Sequence, residues 1–316
     1  MWGKLIRLTA LVLVGLPFVV AHEANALTIS PLRFEYQGLP GAMFTDTLTL
    51  TNETTAPETF TASVLDFIAS ADESGAPRFL PEGTRNEHSL VDWVIVDEPT
   101  VTLAPGESHE VSFAIEVPES ASVGGYYSAL LFSAITPTGQ EVAVKTKTGP
   151  LILLSVLSNT LAENKGTVAS FTSDQSITSH LPITFTTRIN NAGAVHIEPQ
   201  GEIRMTNLLG HIEAVLPFNQ AEGNVLPSST RQFTTVWQRQ ERSAETPEIL
   251  KELKNSGIGR YRATLFLTNE QGQLQSQAHV DVWIVPWQIM LVTLFVVVFC
   301  VTFIRSRRKT IQRLTP

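Results

Sequence analysis

The chain of 316 residues has a single cysteine, Cys300, and it lies inside a long apolar run near the C-terminus. Everything before that run is without a thiol, which excludes disulfide staples, cysteine nucleophiles and cysteine-zinc centres there. Catalytic signatures are missing as well: there is no G-x-S-x-G elbow, no H-E-x-x-H helix and no phosphate-binding P-loop. The histidines beyond the N-terminal segment are His88, His109, His180, His196, His211 and His279, and none pairs with another at metal-ligand spacing. His196 and His211 could approach across a hairpin, but solvated strand-edge positions are expected for both. Asp72-Glu-Ser-Gly75 starts like a calcium loop yet lacks the alternate acids and the distal glutamate, so a solvated hairpin tip is expected. A basic stripe is also missing. The formal charge is −8, and seven cations (Lys4, Arg7, Arg305, Arg307, Arg308, Lys309 and Arg313) belong to the two terminal segments. The middle of the chain is therefore more acidic than the total suggests, which repels phosphate backbones and argues against nucleic acid as a partner. These absences predict a protein that is not an enzyme and takes no cofactor, metal or small-molecule substrate.

What is present is most distinctive at the two ends. Residues 283–304 contain no charged side chain. At a rise of ~1.5 Å per residue, such a run crosses a hydrocarbon core of ~30 Å as one helix. Trp283 and Trp287 stand where amphipathic rings favour the headgroup layer, and Arg305, Arg307, Arg308 and Lys309 follow on the other side. The positive-inside rule then puts the C-terminus in the cytoplasm and the rest of the chain outside. At the other end, Lys4 and Arg7 precede an apolar stretch, and Ala24-Asn-Ala26 offers a cleavage site between Ala26 and Leu27. Residues 1–26 are read as a secretory signal peptide. The expected localisation is the cell membrane, single-pass, with an extracytoplasmic ectodomain. An ectodomain of this size without cysteine points to a bacterial or archaeal surface.

Between the ends the dominant period is two. Leu48 and Leu50 share one face of residues 45–51; Val111, Phe113, Ile115 and Val117 share one face of 110–117; Ala278, Val280, Val282 and Ile284 share one face of 277–284. One apolar face at period two means half-buried antiparallel strands. Turn residues separate them, as in Ala104-Pro-Gly106 and Asn191-Ala-Gly193. The fold class expected is all-β: two immunoglobulin-like β-sandwich domains, 27–160 and 161–285, then a transmembrane helix at 286–304 and a basic tail at 305–316. Residues 141–156 are expected as the last strand of the first domain. A short helix near Thr246 to Leu253 is expected within the second.

An internal repeat supports two copies of one fold. Gly125-Tyr-Tyr-Ser-Ala-Leu-Leu-Phe132 aligns without gaps on Gly259-Arg-Tyr-Arg-Ala-Thr-Leu-Phe266, pairing Gly125 with Gly259, Tyr127 with Tyr261 and Ala129 with Ala263. Two further landmarks follow the same order. One is a strand closed by asparagine, Asn52 and Asn190; the other is a turn before a strand, Leu103-Ala-Pro-Gly and Val225-Leu-Pro-Ser. Tyr127 and Tyr261 are expected to pack their rings inward and to bond a nearby backbone group, as tyrosines at this point of a sandwich do.

Leu27-Thr-Ile-Ser-Pro-Leu-Arg-Phe-Glu35, Val101-Thr-Leu-Ala-Pro-Gly-Glu-Ser108, Gly124-Gly125-Tyr126 and Asn190-Asn-Ala-Gly-Ala-Val-His-Ile-Glu-Pro-Gln-Gly201 resemble segments of the DUF916-type WxL-interacting proteins. The resemblance implies a bacterial cell-surface protein whose two domains contact peptidoglycan or other surface proteins. The N-terminal strand with Arg33, the strand ending in Asn and the P-G-x-S turn are also similar to pilus-chaperone sandwiches. That second resemblance implies a membrane-tethered assembly factor that captures secreted or pilin-like clients by β-strand addition, with Arg33 anchoring a client carboxylate and 141–156 as the pairing edge. Without a client, Arg33 is a solvated edge residue that guards against aggregation.

Overall fold

The computed structural model describes residues 27–135, 146–158, 166–238, 257–268 and 274–312. The leader, the cleavage position Ala26 and the short helix expected near Thr246 fall outside these residues. Among the described residues, the chain is β up to its C-terminal helix apart from one 3-10 turn at Val91–Trp93, and its strands form two sandwiches.

The first sandwich contains β1 (Leu27–Ser30), β2 (Arg33–Gly38), β3 (Met43–Asn52), β4 (Glu58–Ala69), β5 (Pro77–Phe79), β6 (Val94–Val96), β7 (Thr100–Leu103), β8 (Ser108–Glu116), β9 (Gly124–Ala134) and β10 (Leu151–Val156). One sheet runs β1-β3-β8-β6; the other runs β2-β10-β9-β4, with β5 and β7 both pairing β4. Leu48, Leu50, Val111, Phe113 and Ile115 from the first sheet meet Phe34, Phe60, Tyr126, Leu130, Phe132, Ile152 and Leu154 from the second. The period-two expectation holds for β3 and β8, whose alternate residues are buried.

The second sandwich contains β11 (Gly166–Ser173), β12 (Ile177–Thr178), β13 (Ile183–Asn191), β14 (Gln200–Asn207), β15 (Ile212–Phe218), β16 (Ser229–Trp237), β17 (Gly259–Thr268) and β18 (Leu274–Ile284). A three-stranded sheet, β11-β13-β16, packs on a five-stranded one, β12-β18-β17-β14-β15. Phe185, Ile189, Phe233 and Trp237 fill the core against Ile203, Met205, Tyr261, Ala263, Leu265 and Val282.

The turn landmark of the repeat is present in both sandwiches. Asn52, fully buried at the end of β3, donates through Nδ2 to the carbonyls of Ala56 at 2.9 Å and Leu103 at 3.0 Å. Asn191, fully buried at the end of β13, donates to those of Val195 at 2.8 Å and Val225 at 2.9 Å. Leu103 and Val225 are thus equivalent, as expected, but the closing asparagine is Asn191 rather than Asn190. The tyrosines slip by one residue in the same way. Tyr261 and Ala263 face their own core, whereas the inward position in β9 belongs to Tyr126, whose hydroxyl donates to the Ser122 carbonyl at 2.9 Å. Tyr127, Ala129 and Leu131 point to the outer face of their sheet. The gapless match between Gly125 and Gly259 is therefore corrected by one position, and a one-residue slip in a strand exchanges its two faces.

Two edge assignments also change. β10 pairs antiparallel with β9 and parallel with β2, so it is an interior strand rather than a pairing edge. One edge of this sheet is β2, which carries Arg33; β5 and β7 stand at the other. After β18, α1 (Trp287–Gln312) begins at once, and residues Trp287–Arg305 form a helix long and apolar enough to cross a membrane.

Candidate functional site at the junction of the two sandwiches

β9 is buried at nearly every residue and β10 at five of six, so neither strand alternates. Two-sided burial requires a second cover on the outer face. The second sandwich supplies part of it. Phe67, Tyr127 and Leu153 form an outer apolar cluster against which Leu226 of the second sandwich packs. The Tyr127 ring lies 6.0 Å from Phe67 and 5.7 Å from the His196 ring, the latter edge-on.

Polar contacts surround this apolar centre. The Gly125 amide donates to the Ala194 carbonyl at 2.8 Å. Arg33 donates through Nη1 to the Glu222 carbonyl at 2.6 Å and lies 3.1 Å from Glu35 Oε1 through Nε. Asn224 Nδ2 donates to Glu35 Oε1 at 2.5 Å. The β4–β5 hairpin reaches across as well. Glu73 accepts a two-pronged interaction from Arg188, Nε to Oε2 at 2.6 Å and Nη2 to Oε1 at 2.5 Å, while its carbonyl accepts the Gln232 amide at 2.7 Å. Asp72-Glu-Ser-Gly75 is therefore a docked tip and not a solvated one. Glu73 takes a positive φ of 60°, and Gly75 packs so closely under the Arg231 guanidinium that a Cβ there would collide with it.

His196 is likewise not a solvated edge residue: its side chain is only 8% exposed. Its Nδ1 is 3.4 Å from the Tyr127 hydroxyl and its Nε2 is 4.0 Å from Glu35 Oε2. Burial lowers its pKa below 6.5, the Glu35 charge opposes that, and the Arg33 charge adds to it. His211 lies apart, exposed in the β14–β15 turn. The Tyr127–His196–Glu35 string has the order of a nucleophile, a base and an orienting acid. Its electrostatics run the other way, because burial raises the Tyr127 pKa and so disfavours the phenolate that a nucleophile needs.

A cavity of about 90 Å³ opens beside this centre, lined by Arg33, Phe67, Leu153, Asn224, Leu226 and Arg231 among others. Arg231 donates through Nη1 to the Asn224 carbonyl at 2.8 Å and stacks its guanidinium 5.2 Å from the Phe233 ring. Its Nε and Asn224 Oδ1 are buried without a partner. Burial and the nearby Arg33 charge both lower the Arg231 pKa. Among the described residues, no three His, Cys, Asp or Glu side chains are grouped to hold a metal ion.

Arg33 was the only ligand-binding candidate legible in the sequence, and it lies in this junction. Leu27 opens β1, and Trp283 and Trp287 flank the start of α1 at 46% and 53% exposure. Arg305 is exposed at the end of the apolar run; Arg307, Arg308 and Lys309 continue α1. Glu35, Arg188 and Arg231 carry no mark in the sequence, and Glu73 and His196 are expected there as solvated positions rather than as parts of a site. The signal that could have found them was the unbroken apolar runs of β9 and β10, which implied a covering partner on the outer face.

No protein-family model and no curated protein matches the chain. Solved structures that align with it include a class 5 fimbrial chaperone, CfaA, at 12% identity and TM-score 0.38, covering 81% of this chain and 98% of that one. The YadV chaperone aligns at 9% identity and TM-score 0.37, over 82% and 100%. A protein of unknown function from Porphyromonas gingivalis W83 aligns at 14% identity and TM-score 0.30, over 82% and 100%. Superpositions this loose leave the function to be argued from the chain's own geometry.

Proposed function

We propose that the chain is a single-pass, membrane-anchored, non-enzymatic surface protein whose two sandwiches form one arm that binds cell-wall polymer or other surface proteins. The observation that carries this reading is α1. Its apolar stretch is wholly unburied within the molecule and follows the last strand after Val285 and Pro286, so it lacks any role in either core. The run of cations from Arg305 supports an orientation with the sandwiches outside. The docked junction supports an arm rather than two beads on a string, and the resemblance to WxL-interacting proteins supports wall or surface-protein contact. The test uses full-length protein in detergent or proteoliposomes with isolated peptidoglycan sacculi and with crosslinked cell surfaces. Retention on either is expected, and turnover of wall fragments is not. Failure to bind both, or measurable hydrolysis, sinks the proposal.

The cavity favours a second reading, strand addition to a secreted client. Arg33 and Arg231 face a space between the sandwiches, and β2 is an edge strand of its sheet. A client strand adding to β2 could place a terminal carboxylate near these two guanidinium groups. Co-purification of a secreted client that is lost in Arg231→Ala separates this reading from the first.

A further inference from the structure

The lower end of the second sandwich, where α1 begins, carries exposed apolar side chains that its core does not need. The strand register places them. Asn207 of β14 lies opposite Tyr261, and Tyr261 opposite Val282, so the β14–β15 turn that follows Asn207 sits level with Trp283 and Ile284. That turn presents Leu208 and Leu209, exposed by 73% and 78%. Ile258 precedes Gly259, the partner of Ile284, and is 76% exposed; Ile177, the partner of Trp283, is 66% exposed. Turn tips ordinarily carry Gly, Asn, Asp or Ser, and exposed apolar groups gathered at one end mark a contact surface.

This end is held in shape. Asn207 Oδ1 accepts from the amides of Leu209 at 2.9 Å and His211 at 3.0 Å, and Gly210 completes the turn at φ 82°. The strand end is held too, because the Trp283 amide donates to the Ser176 carbonyl and the Val285 amide to the Thr178 carbonyl, both at 2.8 Å. Only Pro286 separates that last bond from Trp287, the first residue of α1. At ~3.3 Å per residue, the turn tip stands within ~10 Å of the level where α1 begins. The headgroup layer is about 5–7 Å deep on each side of a ~30 Å core. Arg260, opposite Trp283, adds a cation at this height, its Nη2 3.4 Å from Asp281.

We infer that Leu208, Leu209, Ile258, Ile177 and Trp283 form an apolar collar that seats the second sandwich in the outer headgroup layer. The lipid surface is then a second contact of the protein, beside its span. The collar fixes the tilt of the arm, which one helix crossing alone leaves free. This inference rests on the proposed span, and the two can fail separately. Full-length protein carrying Cys300→Ser and Leu208→Cys is labelled with an environment-sensitive dye and reconstituted in phosphatidylcholine–phosphatidylglycerol vesicles. Glu53→Cys, exposed in the first sandwich, carries the same dye as control. The dye at 208 should emit to the blue of the dye at 53, be quenched by headgroup-proximal doxyl lipid and be shielded from aqueous iodide. Alkaline carbonate extraction is run in parallel. A chain that extracts loses the span and the collar with it. If the chain resists extraction while the dye at 208 matches the control toward both quenchers, the span stands and the collar is wrong. Amide exchange of residues 207–212, slower in nanodiscs than in detergent for the unlabelled protein, provides the same reading without a dye. Equal exchange in the two environments would also overturn the collar.

Discussion

Two adjacent asparagines separate what a side chain does from what its sequence position suggests. Asn191 is fully buried and feeds two backbone carbonyls through Nδ2, while its Oδ1 accepts the Gly193 amide at 2.8 Å. Asn190 points the other way and reaches Thr230 Oγ1 at 3.2 Å from a partly exposed position. Loss of a buried donor leaves its acceptors desolvated and unpaired, which costs more than the hydrogen bond itself contributes. Asn191→Ala should therefore destabilise the second sandwich by about 2–4 kcal/mol, and Asn52→Ala should do the same to the first. Asn190→Ala should cost under about 1 kcal/mol. Urea unfolding of the three variants checks this. Equal losses for Asn190 and Asn191 would show that the cap is not what holds the loop.

Strands that bury one face were legible from their period; strands that bury two were not assigned correctly. β3, β8 and β18 alternate because solvent lies on one side. β9 reads Tyr-Tyr-Ser-Ala-Leu-Leu-Phe, apolar on both faces, so composition alone could not choose which tyrosine turns inward. The repeat alignment chose Tyr127, and the fold chose Tyr126. The hairpin tip was illegible for a different reason. Asp72-Glu-Ser-Gly75 is polar because it docks on Arg188 and Arg231, partners more than a hundred residues away, and a polar tip in contact resembles a polar tip in water. Its docking can be tested by comparing two glycines. Gly75 and Gly83 share a left-handed φ of 81° and 82°, so alanine at either position costs about 1–3 kcal/mol of backbone strain. A Cβ at Gly83 meets open space, whereas one at Gly75 meets the Arg231 guanidinium. Gly75→Ala should lose more stability than Gly83→Ala and should make amide exchange faster at Gln232, whose amide is bonded to the tip. Identical behaviour of the two variants would mean that the hairpin does not bear on the second sandwich.

At the scale of the whole molecule, the junction decides whether the chain is one arm or two independent domains. Its apolar centre is small, so polar contacts carry much of the docking, and one of them involves a histidine whose charged form burial disfavours. His196 is held neutral between Tyr127 and Glu35 chiefly because burial penalises its charged form. The folded protein therefore binds this proton less tightly than the unfolded chain does. Stability from this group is fully present above its ordinary value of 6.5 and is lost as pH falls below that value toward the lowered folded-state pKa. Glu73, whose pKa Arg188 lowers from 4.5, loses its contribution only at more acid pH. Between about pH 7.5 and about pH 5.5 the junction should weaken through His196. Calorimetry should give one joint unfolding transition at the upper end, with a midpoint that falls and a peak that broadens toward two as the pH drops. His196→Gln keeps a hydrogen-bonding side chain without the titration, so its scans should change little over the same range. A variant that followed the wild-type pH dependence would place the sensitive group elsewhere. A wild type that gave two separate transitions even at the upper end would show that the sandwiches unfold independently, and the single arm would have to be replaced by two domains in loose contact.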